Sequence, residues 1–188
     1  MSRPTQHSIA TAPVGSQPLL LQVQKALGFV PNLYATFAES PAVLGGYMAL
    51  DASLAKGALS AIERQLVEIA VSVENDCAYC VAAHSTLAGM VRARPEVVTA
   101  VRNGTPIGER KLDALIAFTL LVARTKGFVS EAEIGDFLAA GYTKAQLLEI
   151  VGHVGLKTIA NYVNSMAETP LDAAFEPQQW DPTQAQVA

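Results

Sequence analysis

Apolar residues recur along most of this chain at the spacing of an α-helix. The clearest run has apolar residues at i, i+3, i+4, i+7 and i+11, namely Leu66, Ile69, Ala70, Val73 and Cys77. A segment that begins at Leu112 nearly repeats this order. No pair of runs alternates between apolar and polar residues with turn residues at its ends, as a β-hairpin would require. The pattern therefore predicts an all-α fold without a sheet.

Helix start signals divide this pattern into separate segments. Capping boxes begin at Ser60, Ser130 and Thr143, where Glu or Gln follows three residues later. A Ser-Pro pair at 40–41 adds a helix start with proline at the first helical position. The last and longest helix is predicted to end near Glu168. These signals predict a helical bundle.

The chain has the length of one domain of ordinary size. We expect residues 1–18 to be a flexible N-terminal tail, 19–176 to form the helical domain, and 177–188 to be a C-terminal tail. Residues 66–70 resemble residues 147–151, and each segment follows a capping box by a few positions. This weak repeat leaves open whether the domain consists of two related helical units.

Composition narrows the function classes. The net charge of −4 favours neither nucleic acid nor an anionic membrane as a partner. No apolar run has the length of a membrane-spanning helix, and the N-terminal residues lack the apolar region of a signal peptide, so we expect a cytoplasmic protein. Apolar residues make up 51% of the chain and charged residues only 16%. This balance predicts that other copies of the chain cover part of the surface.

Both cysteines of the chain, Cys77 and Cys80, lie in one C-x-x-C motif, and His84 follows one helical turn later. On a helix these three side chains share a face. We expect Asn75 or Asp76 to cap the helix, which places both thiols in its first turn, where the helix dipole stabilises a thiolate. Such a pair can close a disulfide, and the imidazole can take or deliver a proton. The motif therefore predicts redox chemistry.

Other interpretations of this stretch stay open. The cysteines could be inert side chains inside an alanine-rich helix, and His84 could be an ordinary core histidine. Cys77, Cys80 and His84 could also supply three zinc ligands, although the sequence offers no second ligand cluster. The one distant histidine of the predicted domain, His153, is expected to lie in the core or at an interface. Nearby carboxylates could orient His84, and Glu68 and Glu74 are the candidates.

Residues 60–87 resemble the core of a known family. The sequence ERQL at 63–66 leads to CAYCVAAH at 77–84, as in the alkylhydroperoxidase D-like branch of the carboxymuconolactone decarboxylase family. The flanking sequences GFVPN at 28–32 and NYVN at 161–164 agree with that branch. The resemblance extends over about residues 19–176.

The resemblance implies an all-α fold, a homo-oligomer such as a trimer or hexamer built by interlocking helices, and thiol-dependent reduction of hydroperoxides. Cys80 would be the thiol that attacks the peroxide, Cys77 the resolving thiol, and His84 part of the proton relay. The resulting disulfide would need an external thiol or dithiol reductant protein. The resemblance implies no metal and no organic cofactor.

Two positions depart from the family pattern. The relay glutamate is usually twelve residues before the first cysteine, and that position is Gln65 here, which cannot carry a proton. We expect Glu68, one turn further on, to replace it, with Glu63 and Glu74 as the alternatives. Where the founding enzyme has a histidine before the second cysteine, this chain has Tyr79, which we expect to contact the substrate.

Two rival functions belong to other classes. A carboxymuconolactone-type decarboxylase would not need thiols, and its branch of the family is not marked by C-x-x-C. A non-enzymatic thiol sensor, or an oligomeric scaffold that responds to oxidation, would use the same residues as a peroxidase. Turnover separates the last two functions, because a sensor is oxidised once and an enzyme consumes many equivalents of peroxide.

Overall fold

The computed structural model describes residues 2–185, and within this range the regular structure is entirely helical. The all-α prediction is therefore confirmed. None of the helices in this range is long and apolar enough to cross a membrane. In chain order the helices are α1 (Gln17–Leu27), α2 (Asn32–Phe37), α3 (Pro41–Leu54), α4 (Ala61–Glu74), α5 (Ala78–Met90), α6 (Pro95–Asn103), α7 (Arg110–Thr125), α8 (Glu131–Ala139), α9 (Lys144–Ala167) and α10 (Pro182–Ala185), with a 3-10 turn at Glu176–Gln178.

The three predicted capping boxes form at the starts of α4, α8 and α9. In each, the side chain of Ser60, Ser130 or Thr143 accepts a hydrogen bond from the backbone N–H three residues later. The Glu or Gln at that later position accepts a bond from the backbone N–H of the capping residue in return. Each box satisfies N–H groups that the helix itself leaves unpaired.

Helix α4 is the centre of the domain. It packs against α5, α6, α7 and α9, so almost every side of its second half is covered. Four of its apolar side chains have no exposed surface: Leu66, Val67, Ile69 and Val71. Because α4 is enclosed, any polar side chain that it carries inward must find its partner on a neighbouring helix.

A short break between α4 and α5 sets the position of the cysteines. Asp76 adopts a left-handed conformation with φ of 51°. The N–H of Cys77 then donates to the carbonyl of Ser72 at 2.9 Å, which closes the end of α4. The cap of α5 is therefore Cys77 itself, and the expectation of Asn75 or Asp76 was wrong. Both of those residues are used in ending α4.

Helix α9 has no such break. It is continuous through the residues that match Cys77 to His84 in the weak repeat, so that half of the domain has no helix N-terminus at the equivalent place. The two-unit interpretation stays a prediction. Several apolar side chains of α9 are exposed in the single chain: Leu148, Val151, Tyr162 and Met166. A second copy could cover this surface, and the expected homo-oligomer also stays a prediction.

Parts of both predicted tails contact the domain. The N–H of His7 donates to the carbonyl of Ala35 at 3.0 Å, and the Ser16 hydroxyl donates to the carbonyl of Ala38 at 2.7 Å. Trp180 is buried in the cluster between α4 and α6. The domain boundaries drawn from the sequence stay a prediction, and residues 1 and 186–188 of the two tails lie outside the described range.

Candidate active site

The two thiols lie side by side at the N-terminus of α5. Cys77 has 4% and Cys80 has 1% of its surface exposed, and no disulfide joins them. The side-chain amide of Asn164, on α9, lies 3.2 Å from the sulfur of Cys80 and 3.8 Å from that of Cys77. The amide donates to both sulfurs and thereby holds the pair from the opposite side of the helix interface.

The two cysteines together carry one negative charge, and hydrogen bonding places this charge on Cys77. A hydrogen bond from the Cys80 thiol lowers the pKa of Cys77 to about 6, although burial acts in the opposite direction. The backbone N–H of Cys80, the charge of Lys157 and the Asn164 amide lower it further. The same thiol bond, together with burial, raises the pKa of Cys80 well above its usual value. At neutral pH the pair is therefore one thiolate and one thiol.

We expect the ultraviolet absorbance of the thiolate to appear as pH rises through about 6, the pKa of Cys77. Below this value both cysteines are protonated, and the absorbance is lost. Cys80→Ala removes the donor, so its titration is expected to shift upward, toward the ordinary cysteine value of about 8.5. Asp76→Asn, at an exposed neighbouring position, is the control. A wild-type titration near about 8.5 would contradict this charge assignment.

Behind the thiols, a chain of hydrogen-bonded side chains joins α4, α5 and α9. His84 Nδ1 lies 2.8 Å from Glu68 Oε2 and 2.9 Å from Gln65 Oε1. Both oxygens are acceptors, so Nδ1 carries the proton. On the other side of the ring, Nε2 lies 2.5 Å from Lys157 Nζ and accepts a hydrogen bond from the ammonium. Both ring nitrogens of His84 are therefore occupied by protein groups.

Glu68 is a buried carboxylate at the centre of this chain. Its second oxygen, Oε1, lies 2.9 Å from Nδ1 of His153, which is itself fully buried on α9. Burial would raise the pKa of Glu68, but the two histidines and Lys157 hold it well below its usual range. Glu68 is therefore ionised at neutral pH, and it fixes the orientation of both imidazoles.

The structure brings four of the predicted site residues together and separates the two alternative carboxylates from them. Cys77, Cys80, His84 and Glu68 form the continuous arrangement described above. Glu74 instead pairs with Arg124 of α7 at 2.8 Å on the surface. Glu63 closes the capping box of α4. Of the three candidate carboxylates, only Glu68 is in contact with the histidine, and the catalytic role of each residue stays a prediction.

Tyr79 does not offer its hydroxyl to a substrate. The hydroxyl donates to Asp172 Oδ2 at 2.5 Å and accepts the N–H of Leu33 at 3.3 Å. Its ring meets the edge of Phe175, with centroids 5.9 Å apart. These contacts tie the C-terminal segment to α2 and α5. The predicted contact of Tyr79 with substrate is restricted to its ring.

A cavity of about 300 Å³ leads from the surface to Cys80. Its walls are mainly apolar and aromatic and include Phe29, Leu33, Tyr34, Tyr79, Leu87 and Phe175. The polar groups Asp51, His84 and Lys157 also line it, whereas Cys77 does not. A molecule in this cavity would therefore meet the sulfur of Cys80 and not that of Cys77.

The zinc alternative has no matching geometry. Among residues 2–185, no three His, Cys, Asp or Glu side chains are grouped so as to hold a metal ion. His84, the third ligand in that interpretation, has no free ring nitrogen because Glu68, Gln65 and Lys157 already bind it.

The sequence interpretation missed the contribution of α9. His153 is in the core, one of the two places expected for it, but it also binds Glu68. Neither Lys157 nor Asn164 was predicted as a site residue, although Asn164 lies in the flanking sequence NYVN. A signal was present, because the polar residues of α9 follow one buried helical face at i, i+4, i+8 and i+11: His153, Lys157, Asn161 and Asn164. Four polar side chains in a row on a buried face indicate partners across the interface.

Known proteins with the same fold cover nearly the whole chain. One is an alkylhydroperoxidase AhpD core structure, that of an uncharacterized peroxidase-related protein from Ralstonia eutropha JMP134. Its sequence is 26% identical and its TM-score is 0.83, and the match covers 92% of this chain and 93% of that one. An uncharacterized peroxidase-related protein from Silicibacter sp. TM1040 is 22% identical with a TM-score of 0.79, and the match covers 95% of this chain and 98% of that one. A cysteine-to-alanine variant of the debrominase Bmp8, bound to 2,3,4-tribromopyrrole, is 17% identical with a TM-score of 0.73. This match covers 99% of this chain and 95% of that one.

The chain has an all-helical fold like that of the alkylhydroperoxidase AhpD core structure, with a C-x-x-C motif at the start of α5. Residues 41–107 match the carboxymuconolactone decarboxylase family, and no curated protein matches the sequence. This match and the peroxidase-related structures agree with the resemblance to the alkylhydroperoxidase D-like branch of that family that the motif predicted.

Proposed function

We propose that this protein is a thiol-dependent hydroperoxide reductase that cycles through a Cys77–Cys80 disulfide. One observation carries the proposal: two free thiols, both bound by the Asn164 amide, lie together beside an apolar cavity, and Cys80 lines that cavity. The family match over residues 41–107 and the similarity to a peroxidase-related structure support the same reaction class. A decarboxylase, the rival function from the same family, would not need the thiol pair.

The first half of the cycle oxidises Cys80. The Cys77 thiolate takes the proton of the Cys80 thiol, to which it is already hydrogen-bonded. The Cys80 sulfur attacks the terminal oxygen of the peroxide, and the O–O bond breaks. Cys80 becomes a sulfenic acid, and the remaining oxygen leaves as an alcohol once it has received a proton. Cys80 is the attacking thiol because it is the one that a bound substrate meets.

The second half restores the thiols. The Cys77 sulfur displaces the hydroxyl group of the sulfenic acid as water, which gives the Cys77–Cys80 disulfide. An external thiol or dithiol protein then supplies two electrons and two protons. Asn164 contacts both sulfurs and keeps them together during these steps. Every step uses groups of the chain, the peroxide and the reductant only.

Turnover is the decisive test. We expect a small amount of protein to consume many equivalents of cumene hydroperoxide when dithiothreitol is supplied, because the disulfide is reduced again after each cycle. The double variant Cys77→Ser, Cys80→Ser is the blank, since it lacks both thiols. Consumption that stops after one equivalent per chain, with reductant still present, would indicate a thiol sensor and contradict an enzyme.

A second candidate reaction is reductive removal of a halogen from an aromatic ring. The aromatic walls of the cavity favour a flat, apolar substrate, and the Bmp8 debrominase shares the fold. In this reaction the ring carbon that bears the halogen would take a proton from solvent, and the Cys80 sulfur would take the halogen while the electron pair of the broken bond stays with the ring. The Cys77 sulfur would then form the disulfide and release the halide ion, and the external reductant would restore both thiols. Bromide release from 2,3,4-tribromopyrrole, measured in the same assay, distinguishes this reaction from peroxide reduction.

A further inference from the structure

We propose that Lys157, a buried lysine of α9, donates the proton to the oxygen that leaves when the peroxide bond breaks. The inference rests on the proposed function and assigns a residue to its least defined step. Lys157 has 1% of its surface exposed and lines the same cavity as Cys80. It is therefore placed where a bound peroxide and the attacking sulfur would meet.

The hydrogen bonds of His84 prevent the histidine from being the direct donor. The proton on Nδ1 is directed at Glu68 and Gln65. The other nitrogen, Nε2, accepts a hydrogen bond from Lys157 at 2.5 Å and so has no proton to give. On the cavity side of this row of hydrogen-bonded side chains, the proton that can be donated is therefore on Lys157.

The lysine has both the charge and the free N–H groups for this role. An ammonium has three N–H donors, and within the described part of the chain His84 is the one hydrogen-bond partner of Lys157. Burial alone would lower its pKa, but the negative charge of the cysteine pair and that of Glu68 raise it above its ordinary value. Lys157 is thus protonated at neutral pH, and two of its N–H groups remain for a substrate oxygen.

The step balances without another reactant. Before the reaction, Cys80 is a thiol, Cys77 a thiolate and Lys157 an ammonium. After the O–O bond breaks, Cys80 carries the hydroxyl group, Cys77 has taken the thiol proton, and the leaving oxygen has taken a proton from Lys157. Cys77 then returns its proton to the lysine and forms the disulfide, and Lys157 protonates the departing hydroxide to water. The two protons of the incoming dithiol restore the initial state.

Glu68 and His84 are positioning residues in this scheme. Glu68 holds His84 through Nδ1, and His84 holds the ammonium through Nε2. A lysine has a long, flexible side chain, so these two contacts fix the ammonium in the cavity wall. The relay therefore ends at a group that can donate a proton to the substrate.

The leaving group of the peroxide provides the test. An alkoxide leaving from cumene hydroperoxide needs a proton, whereas the acetate leaving from peracetic acid does not. In single-turnover experiments that follow thiol loss, Lys157→Met is expected to react with cumene hydroperoxide about 100-fold more slowly or worse. Its rate with peracetic acid is expected to fall much less, because general acid catalysis contributes nothing there and only the positive charge near the thiolate is lost.

Two further variants separate a proton donor from a simple positive charge. Lys157→Arg keeps the charge but cannot release a proton, so it is expected to show the same loss as Lys157→Met with the alkyl hydroperoxide. Lys144→Met removes an exposed lysine from the same helix and should behave as wild type with both substrates. Retained reaction with peracetic acid also shows that the variants fold.

Each other outcome contradicts a specific claim. Equal losses with both peroxides, or recovery in Lys157→Arg, would make Lys157 a counterion of the thiolate and overturn this inference alone. A wild-type protein whose thiols react with neither peroxide would overturn the proposed function and this inference together.

Discussion

Cys80→Ser is expected to abolish peroxide reduction, by a factor on the order of 10⁴ to 10⁶, because it removes the nucleophile itself. Cys77→Ser is expected to react once and stop, because the sulfenic acid formed at Cys80 has no partner thiol. Both substitutions replace one sulfur by oxygen in a buried pair, so they are matched in size and environment. The difference between them isolates the order of the two thiols.

The measurement is to treat each reduced variant with cumene hydroperoxide and a sulfenic-acid trap, followed by mass spectrometry. Wild type should lose both thiols and form an intramolecular disulfide. Cys77→Ser should carry the trap on Cys80, and Cys80→Ser should be unmodified. A trap on Cys77 in Cys80→Ser would reverse the assignment and make the more acidic thiol of the pair the nucleophile.

Glu68→Gln is expected to lower the free energy of unfolding by about 1–3 kcal/mol, the cost of leaving a buried N–H donor without its acceptor. A glutamine can accept from one histidine, but its NH₂ group then faces the Nδ1–H of the other. We also expect a loss of about 100-fold in peroxide reduction, since the His84 ring is no longer held in one orientation. Urea unfolding and single-turnover kinetics provide the two measurements.

Glu74→Gln is the matched control, because Glu74 lies on the same helix but pairs with Arg124 at the surface. Its expected cost is about 0–1 kcal/mol. If Glu68→Gln is as stable and as active as this control, the buried relay has no part in either property.

The Glu68 effect depends on pH with a definite sign. The folded protein holds the pKa of Glu68 well below the ordinary value of 4.5. The stability that Glu68 contributes is therefore present above this value and is lost as pH falls through the lower, folded pKa. The difference in unfolding free energy between wild type and Glu68→Gln should accordingly shrink in acid.

The sequence predicted those features that depend on local spacing. The capping boxes, the shared face of Cys77, Cys80 and His84, and the all-α class all follow from residues within a few turns of each other. That Glu68 and Gln65 lie side by side also follows from the sequence, since positions three apart are neighbours on a helix. The structure places both side chains against the same nitrogen of His84.

The remaining features depend on tertiary contacts. Asn164 meets Cys80 across 84 positions of the chain, and Lys157 meets His84 across 73. Helical periodicity shows which side of α9 is buried, but it does not show which residues of α4 and α5 lie opposite. The cap of α5 differed from the prediction for a similar reason, because it depends on how Asp76 ends the preceding helix.

The polar face of α9 also determines how that helix is aligned with its neighbours. Apolar helices in contact can slide past one another at small cost, since many packings bury similar areas. Here a slide of one residue, about 1.5 Å with a 100° turn, would separate His153 from Glu68 and Lys157 from His84 at once. The polar residues of α9 that surround the cysteine pair therefore also fix the register of α9 against its neighbours, as a buried polar residue does in a coiled coil. Selection for a reactive cysteine pair and selection for a unique fold therefore act on the same side chains.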